Sequence, residues 1–176
     1  MIIKIYGHAG QGVDMARKVI GDACLASGFF VQDAIISGME RRKQDVSGYV
    51  RFEKNEIITK QLKNPDISLV FDMIFEKQSI TETNENGIII FNAPEGVKSP
   101  AVKKKRIKCF YVDANDIIMR ILSKKPIPNM AMLGAFAKAF DKVSMKNVKN
   151  AILNELGENK EANMEFDEGY KNVKRC

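Results

Sequence analysis

MIIKIYGHAGQGVDMARKVIGDACLASGFFVQD, residues 1–33, is the stretch on which the fold turns. Its opening apolar run, Ile2 to Tyr6, is short, rich in β-branched residues and not strictly alternating, the pattern of a strand covered on both faces. Gly7-His8-Ala9-Gly10-Gln11-Gly12 follows as a turn. From Val13 to Ser27, the residues Ala16, Val19, Ile20, Ala23 and Cys24 recur at helical spacing, and Gly28 supplies a C-terminal stop. Phe29 to Asp33 then reads as a second strand. A right-handed crossover sets it parallel to the first and completes a β–α–β unit.

Further runs of the same buried type stand at Ile67 to Phe71, Gly87 to Phe91 and Ile107 to Val112. The segment Val46 to Lys60 differs. Val46, Gly48, Val50 and Phe52 alternate with Ser47, Tyr49, Arg51 and Glu53, and Lys54-Asn55-Glu56 reads as a turn before Ile57 and Ile58. This pattern predicts a hairpin inserted beside the main sheet.

Beyond Val112 the periodicity is helical. Asp113 or Asn115 caps a helix from about Asp116 to Leu122, which Lys124-Lys125-Pro126-Ile127-Pro128 interrupts. A second helix, Asn129 to Phe140, aligns Leu133, Phe136, Ala137 and Phe140. A third starts at a Ser144 cap and carries Val148, Ala151, Ile152 and Leu156 to a stop at Gly157. Residues 158–176 read as a peripheral helix or an arm lying on a partner. The fold class expected is α/β: a mostly parallel Rossmann-like sheet with an inserted β-hairpin and C-terminal helices, in a single domain over residues 1–176.

At 176 residues and 45% hydrophobic, the chain is long enough to bury its own core. No apolar run approaches the roughly 18 residues of a membrane helix, and the N-terminus lacks the pattern of a secretory signal. A soluble, cytoplasmic protein is the expectation. Cys24, Cys109 and Cys176 lie far apart, without a CxxC pair, and His8 is the lone histidine. Iron–sulfur and zinc sites need clustered soft ligands, so a metal in this protein's pathway belongs to another chain.

The net charge of +6 is local. KSPAVKKKRIK, from Lys98 to Lys108, holds six basic residues and no acidic one, and without it the basic and acidic residues are equal in number. Such a block suits a solvated connection, an acidic partner protein, a phosphorylated ligand or nucleic acid. Nucleic acid ranks last because aromatic residues are not interleaved with the block; Phe110 and Tyr111 read as strand.

Gly7 to Gly12 is the most specific local feature. Glycines permit positive φ and close approach of a ligand, and the helix N-terminus that follows can receive a phosphate. The spacing is G-x-x-G-x-G, not the dinucleotide G-x-G-x-x-G, and no Lys-Ser/Thr ending makes it a P-loop. Asp33 falls where a ribose-binding acid would sit, which admits a stand-alone nucleotide- or dinucleotide-binding protein. A strand-to-helix turn that needs glycine only for packing is the other reading. In Gly38-Met39-Glu40-Arg41-Arg42-Lys43-Gln44-Asp45, the guanidinium forks suit a carboxylate, a phosphate or a subunit contact, and a solvated loop is the plainer alternative. Histidine is a residue type suited to acid or base work near neutral pH, but His8 has no triad-like partners in sequence, and Cys24 sits on the apolar helix face as a core residue. No self-contained catalytic set emerges.

Taken in order, these pieces resemble the gamma subunit, or gamma domain, of the 2-oxoacid:ferredoxin oxidoreductases. The resemblance rests on GHAGQG, Ala26-Ser27-Gly28, Phe30-Val31-Gln32, Gly38 to Arg42, Tyr49 to Phe52 and Asn64-Pro65-Asp66. It continues through the strand at Gly87 to Asn92, Val112-Asp113-Ala114, Ile127-Pro128-Asn129, Met132 to Lys138, Asn163 and Gly169-Tyr170. Lys43-Gln44-Asp45 departs from the family's usual small residues after the arginine pair, and Ala9 stands where many relatives have glycine. The resemblance implies a non-catalytic component of a multi-subunit enzyme that decarboxylates a 2-oxoacid, pyruvate first among them, to an acyl-coenzyme A and reduces ferredoxin. It further implies thiamine diphosphate on alpha and beta subunits and iron–sulfur clusters on a delta subunit. For this chain it implies an assembly role and accommodation of coenzyme A, with Gly7, His8, Gly10, Gln11, Gly12, Arg41 and Arg42 as the binding residues, and no metal.

Overall fold

The four continuous apolar runs lie side by side as parallel neighbours. The computed structural model describes residues 1–37, 44–59, 63–123 and 126–176. Within them the chain forms β1 (Ile2–His8), α1 (Val13–Ala26), β2 (Phe30–Ser37), β3 (Asp45–Glu53), β4 (Ile67–Val70), a 3-10 turn (Met73–Phe75) and α2 (Glu76–Glu82). Then come β5 (Ile88–Asn92), α3 (Pro100–Lys104), β6 (Lys108–Val112), α4 (Ala114–Leu122), α5 (Asn129–Ala139), α6 (Met145–Leu156), α7 (Lys160–Asn172) and β7 (Lys174–Arg175). The strand order is β2-β3-β1-β4-β5-β6-β7. This is an α/β fold with a mixed sheet, hairpin strands at one edge and helices closing the C-terminal part.

The hairpin is paired differently from the sequence expectation. β3 runs antiparallel to β1, from Ile2 opposite Arg51 to His8 opposite Asp45, and β2 runs antiparallel to β3. The second strand therefore points the same way as β1, but β3 lies between them. Ile57 and Ile58 form no strand, so the hairpin partner of β3 is β2. The alternation of 46–53 correctly marks a strand near an edge. It cannot say which neighbour supplies the ladder, because register depends on the facing strand.

Local chemistry explains the helix ends. Gly28 adopts φ 84° just past α1, and Gly157 φ 66° just past α6, both beyond easy reach of a residue with a Cβ. Asp113 caps α4 by accepting from the Asp116 amide at 2.9 Å, Ser144 caps α6 through Asn147 at 3.1 Å, and Asn159 caps α7 through Ala162 at 3.0 Å.

One face of the sheet carries the larger core, where Ile3, Ile5, Val50, Phe52 and Leu69 meet α1, α5, α6 and α7. α5 is buried along nearly its whole length, so its apolar residues occupy more than the single face that Leu133, Phe136 and Phe140 suggest. α5 and α7 approach with Gly134 against Phe166 and Tyr170, and Gly169 against Ala131. The other face packs Tyr6, Val70, Phe75, Ile80, Phe91 and Val102.

That second face also buries a charge. Lys4, 5% exposed, donates to Glu82 Oε2 at 2.6 Å, and the Tyr6 hydroxyl donates to the same oxygen at 2.8 Å. Burial and the Glu82 contact push the Tyr6 hydroxyl far above its ordinary range. Burial raises Glu82 as well, but hydrogen bonds from Lys4, Gln78 and Tyr6 outweigh it and leave the carboxyl below its usual value. Lys105 is equally committed: its ammonium donates to the carbonyls of Ile80, Thr81 and Thr83, closing the C-terminal end of α2.

Two of the three cysteines, Cys109 on β6 and Cys176, form a disulfide across 67 residues. The sequence reading weighed Cys109 and Cys176 only as metal ligands and did not reach this pair. Cys24 is free and buried, and burial pushes its thiol up to about 12. Among the described residues no helix is long and apolar enough to cross a membrane.

Candidate functional site

β1 is where the sheet's connections diverge. The chain leaves it through α1 for the hairpin on one side, and returns to β4 on its other side. In open α/β sheets such a point leaves a crevice beyond the strand's C-terminal end, and the Gly7–Gly12 turn lies there.

Gly10 and Gly12 take φ 87° and 78°, so both need glycine's freedom. They differ in surroundings. A Cβ on Gly10 would meet nothing within 4 Å, whereas one on Gly12 would stand 2.6 and 2.8 Å from Cγ and Cβ of Asn129, the first residue of α5. Gly7 is tight for another reason: its Cβ would fall 2.7 Å from Val13 and 2.9 Å from Gln11 Oε1. Gln11 is part of the turn's own scaffold. Its Oε1 accepts from the His8 amide at 2.8 Å, its amide donates to the His8 carbonyl at 3.1 Å, and the Ala9 amide donates to the Gln44 carbonyl at 3.0 Å. Three amides of the turn are thus used inside the protein.

A cavity of about 570 Å³ opens beside the turn. His8, Gly10 and Gly12 line it, while Gly7 and Gln11 do not. Arg41, Arg42 and the rest of 38–43 lie outside the described residues. The other walls are apolar side chains, Met15, Ile35, Val46, Ile127, Met130 and Leu156, with three carboxylates, Asp14, Glu161 and Glu165. Asn129, only 8% exposed, and Glu165, also 8%, are site residues that sequence reasoning missed. Asn129 was within reach, since it closes the Ile127-Pro128-Asn129 segment. Glu165 had no signal, because only the docking of α7 on α5 brings it to this end of the sheet.

His8 is gripped by acids. Its Nδ1 lies 3.1 Å from Asp45 Oδ1, off the line of a hydrogen bond, and its Nε2 lies 3.5 Å from Asp72 Oδ2. Phe75 packs on the ring with centroids 5.1 Å apart. Asp33, the acid considered for a ribose, instead pairs with Arg17, which Asp14 also holds at 2.7 Å. No Lys or Arg is among the described lining residues, so for a polyphosphate these residues alone offer the turn's backbone and His8 and no fixed cation. Among the described lining residues there is no nucleophile with an adjacent base. Among the described residues no group of three His, Cys, Asp or Glu could hold a metal ion.

The comparisons with known proteins agree in one direction. The family described as pyruvate ferredoxin/flavodoxin oxidoreductase matches residues 2–171. The pyruvate/ketoisovalerate oxidoreductases common subunit gamma of Pyrococcus abyssi is 34% identical over 165 residues, 89% of either chain. Among solved structures, pyruvate oxidoreductase subunit PORC of Thermotoga maritima superposes with a TM-score of 0.78 at 28% identity, covering 99% of this chain and 97% of that one. A 2-oxoglutarate:ferredoxin oxidoreductase of Magnetococcus marinus contains the same fold as part of a longer chain, with a TM-score of 0.76, 17% identity, 97% of this chain and 30% of that one covered. Matched over residues 2–171 and superposed over nearly its whole length, this chain belongs to the pyruvate ferredoxin/flavodoxin oxidoreductase family, among the gamma subunits.

Proposed function

We propose that this chain is the gamma component of a pyruvate:ferredoxin oxidoreductase, and that it works in the cytoplasm by building the complex and not by performing chemistry. Its partners in this reading are thiamine-binding alpha and beta subunits and an iron–sulfur delta subunit that passes electrons to ferredoxin. The observation that carries the assembly role is the hairpin at the sheet edge. α1 covers one face of β2 and β3, while Phe30 and Ile36, on the opposite face, are 51% and 50% exposed. An edge strand with exposed apolar residues is a surface that a monomer ordinarily protects.

Coenzyme A would meet Gly10, Gly12 and His8 at this chain's cavity, but no Lys or Arg is among the described lining residues, so its phosphates require cations from elsewhere. Arg41 and Arg42 are the candidates within this chain, and the partner subunits supply the remainder. The stand-alone nucleotide-binding reading is weaker on the same ground, since Asp33 is already paired with Arg17.

The test is mild affinity purification from the chain's own cell extract under anoxic conditions, with mass spectrometry and a thiamine-dependent pyruvate:ferredoxin assay. Recovery with a thiamine-binding pair and a cluster-bearing subunit, active on pyruvate, is expected. Recovery alone and inactive would overturn the assignment. A complex active only on another 2-oxoacid would overturn the substrate.

A further inference from the structure

The basic block of the sequence forms the connection from β5 into β6, with Lys98, Lys103, Lys104, Arg106 and Lys108 exposed. Its residues Lys98, Lys103, Arg106 and Lys108 line a groove of about 890 Å³, and Arg175, far along the chain, joins them from β7. No Asp or Glu lines this groove among the described residues, and none of the five cations is paired with a carboxylate there. The floor is apolar, with Val97, Pro100, Val102, Ile107 and Phe110, and Arg175 stands 5.8 Å from the Phe110 ring. The Cys109–Cys176 disulfide and the Cys176 amide, donating to the Cys109 carbonyl at 3.1 Å, fasten the β7 wall to β6.

We propose that this groove between α3 and β7 is a docking surface for an acidic segment of a partner protein, with the disulfide holding its second wall in place. Charge complementarity selects the occupant, since unpaired cations in a concave surface concentrate field and attract an anionic chain. The apolar floor favours a polypeptide over nucleic acid: it can receive aliphatic side chains between the acids, and Phe110, the aromatic among its described lining residues, is only part-exposed and lies under Arg175. Of the block's six cations, Lys104 does not line the groove and Lys105 is already spent on α2, so the groove is set by position and not by the charge run alone.

The experiment measures binding of a fluorescein-labelled peptide of alternating Glu and Leu to the full chain by anisotropy, at low and moderate salt. Charge reversal at Lys103, Arg106 and Arg175 together is expected to weaken binding on the order of tenfold, while reversal of the exposed Lys54, Lys146 and Lys160 leaves it within about twofold. Cys176→Ser, or reduction by a dithiol, is expected to weaken it about threefold by freeing the Arg175 wall. Equal losses from the two charge-reversal sets would overturn the proposal, as would unchanged binding after Cys176→Ser. Tighter binding of a duplex oligonucleotide through the same three residues would also overturn it, in favour of nucleic acid. Circular dichroism and melting of each variant separate loss of docking from loss of fold.

Discussion

Gly169→Ala drives a methyl group into the backbone of a neighbouring helix. A Cβ at this position would stand 2.6 Å from both Cα and C of Ala131 on α5, where ordinary carbon contacts need about 3.5–4.0 Å. The helices must therefore part by roughly 1 Å. Overpacking a core costs about 1–3 kcal/mol, and this site belongs at the upper end because the obstructing atoms are main chain and cannot rotate away. At roughly 2–4 °C per kcal/mol for a chain of this size, the melting temperature should fall by about 6–12 °C. Gly28→Ala is the matched control: φ is 84° but nothing lies within 4 Å, so strain alone applies, about 1 kcal/mol or roughly 2–4 °C. Gly134→Ala enters the same crossing, 2.7 Å from the Tyr170 amide nitrogen, and the double variant should lose less than the sum, since parted helices already have room. Differential scanning fluorimetry gives the melting points, and hydrogen exchange over 160–172 shows whether α7 loosens. A Gly169→Ala loss no larger than that of Gly28→Ala, or strict additivity of the pair at α5–α7, would refute the reasoning.

At the glycine turn, Gly12→Ala should destabilise more than Gly10→Ala by about 1 kcal/mol or more, because both are strained but only the first meets Asn129; chemical denaturation of the two variants measures the difference. Glu82→Gln leaves Lys4 buried without its counter-charge and should cost about 1–2 kcal/mol, reduced from a fully buried pair because the Glu82 side chain is 30% exposed. Since the folded protein holds Glu82 below its ordinary value, its stabilisation is present above about pH 4.5 and is lost as pH falls through the folded value. Melting points between about pH 3 and 6 should therefore slope more steeply for the parent than for Glu82→Gln, and parallel slopes would contradict the linkage. For the cysteines, a thiol reagent near pH 8 should find none in the folded, oxidised chain, Cys24 alone in denaturant, and Cys109 and Cys176 as well after reduction; rapid folded-state labelling of Cys24 would contradict its burial.

What the sequence by itself determined follows from local rules. Ile2 to Tyr6, the glycine turn and the Val13–Ser27 periodicity specify a strand, a sharp turn and a helix, because apolar period, glycine and capping side chains act within a few residues. Asp113 and Ser144 cap their helices for the same reason. The order of motifs carried the family as well. The pairing of β2 with β3, the Cys109–Cys176 disulfide, the arrival of Glu165 and Asn129 beside Gly12, and the recruitment of Arg175 to the basic groove were decided only in tertiary structure. All but the β2–β3 pair join elements distant in the chain, and nothing local distinguishes the partner chosen. The choice is made by which packing buries the apolar faces of all elements at once, and the chemistry of the cavity and groove follows from that choice.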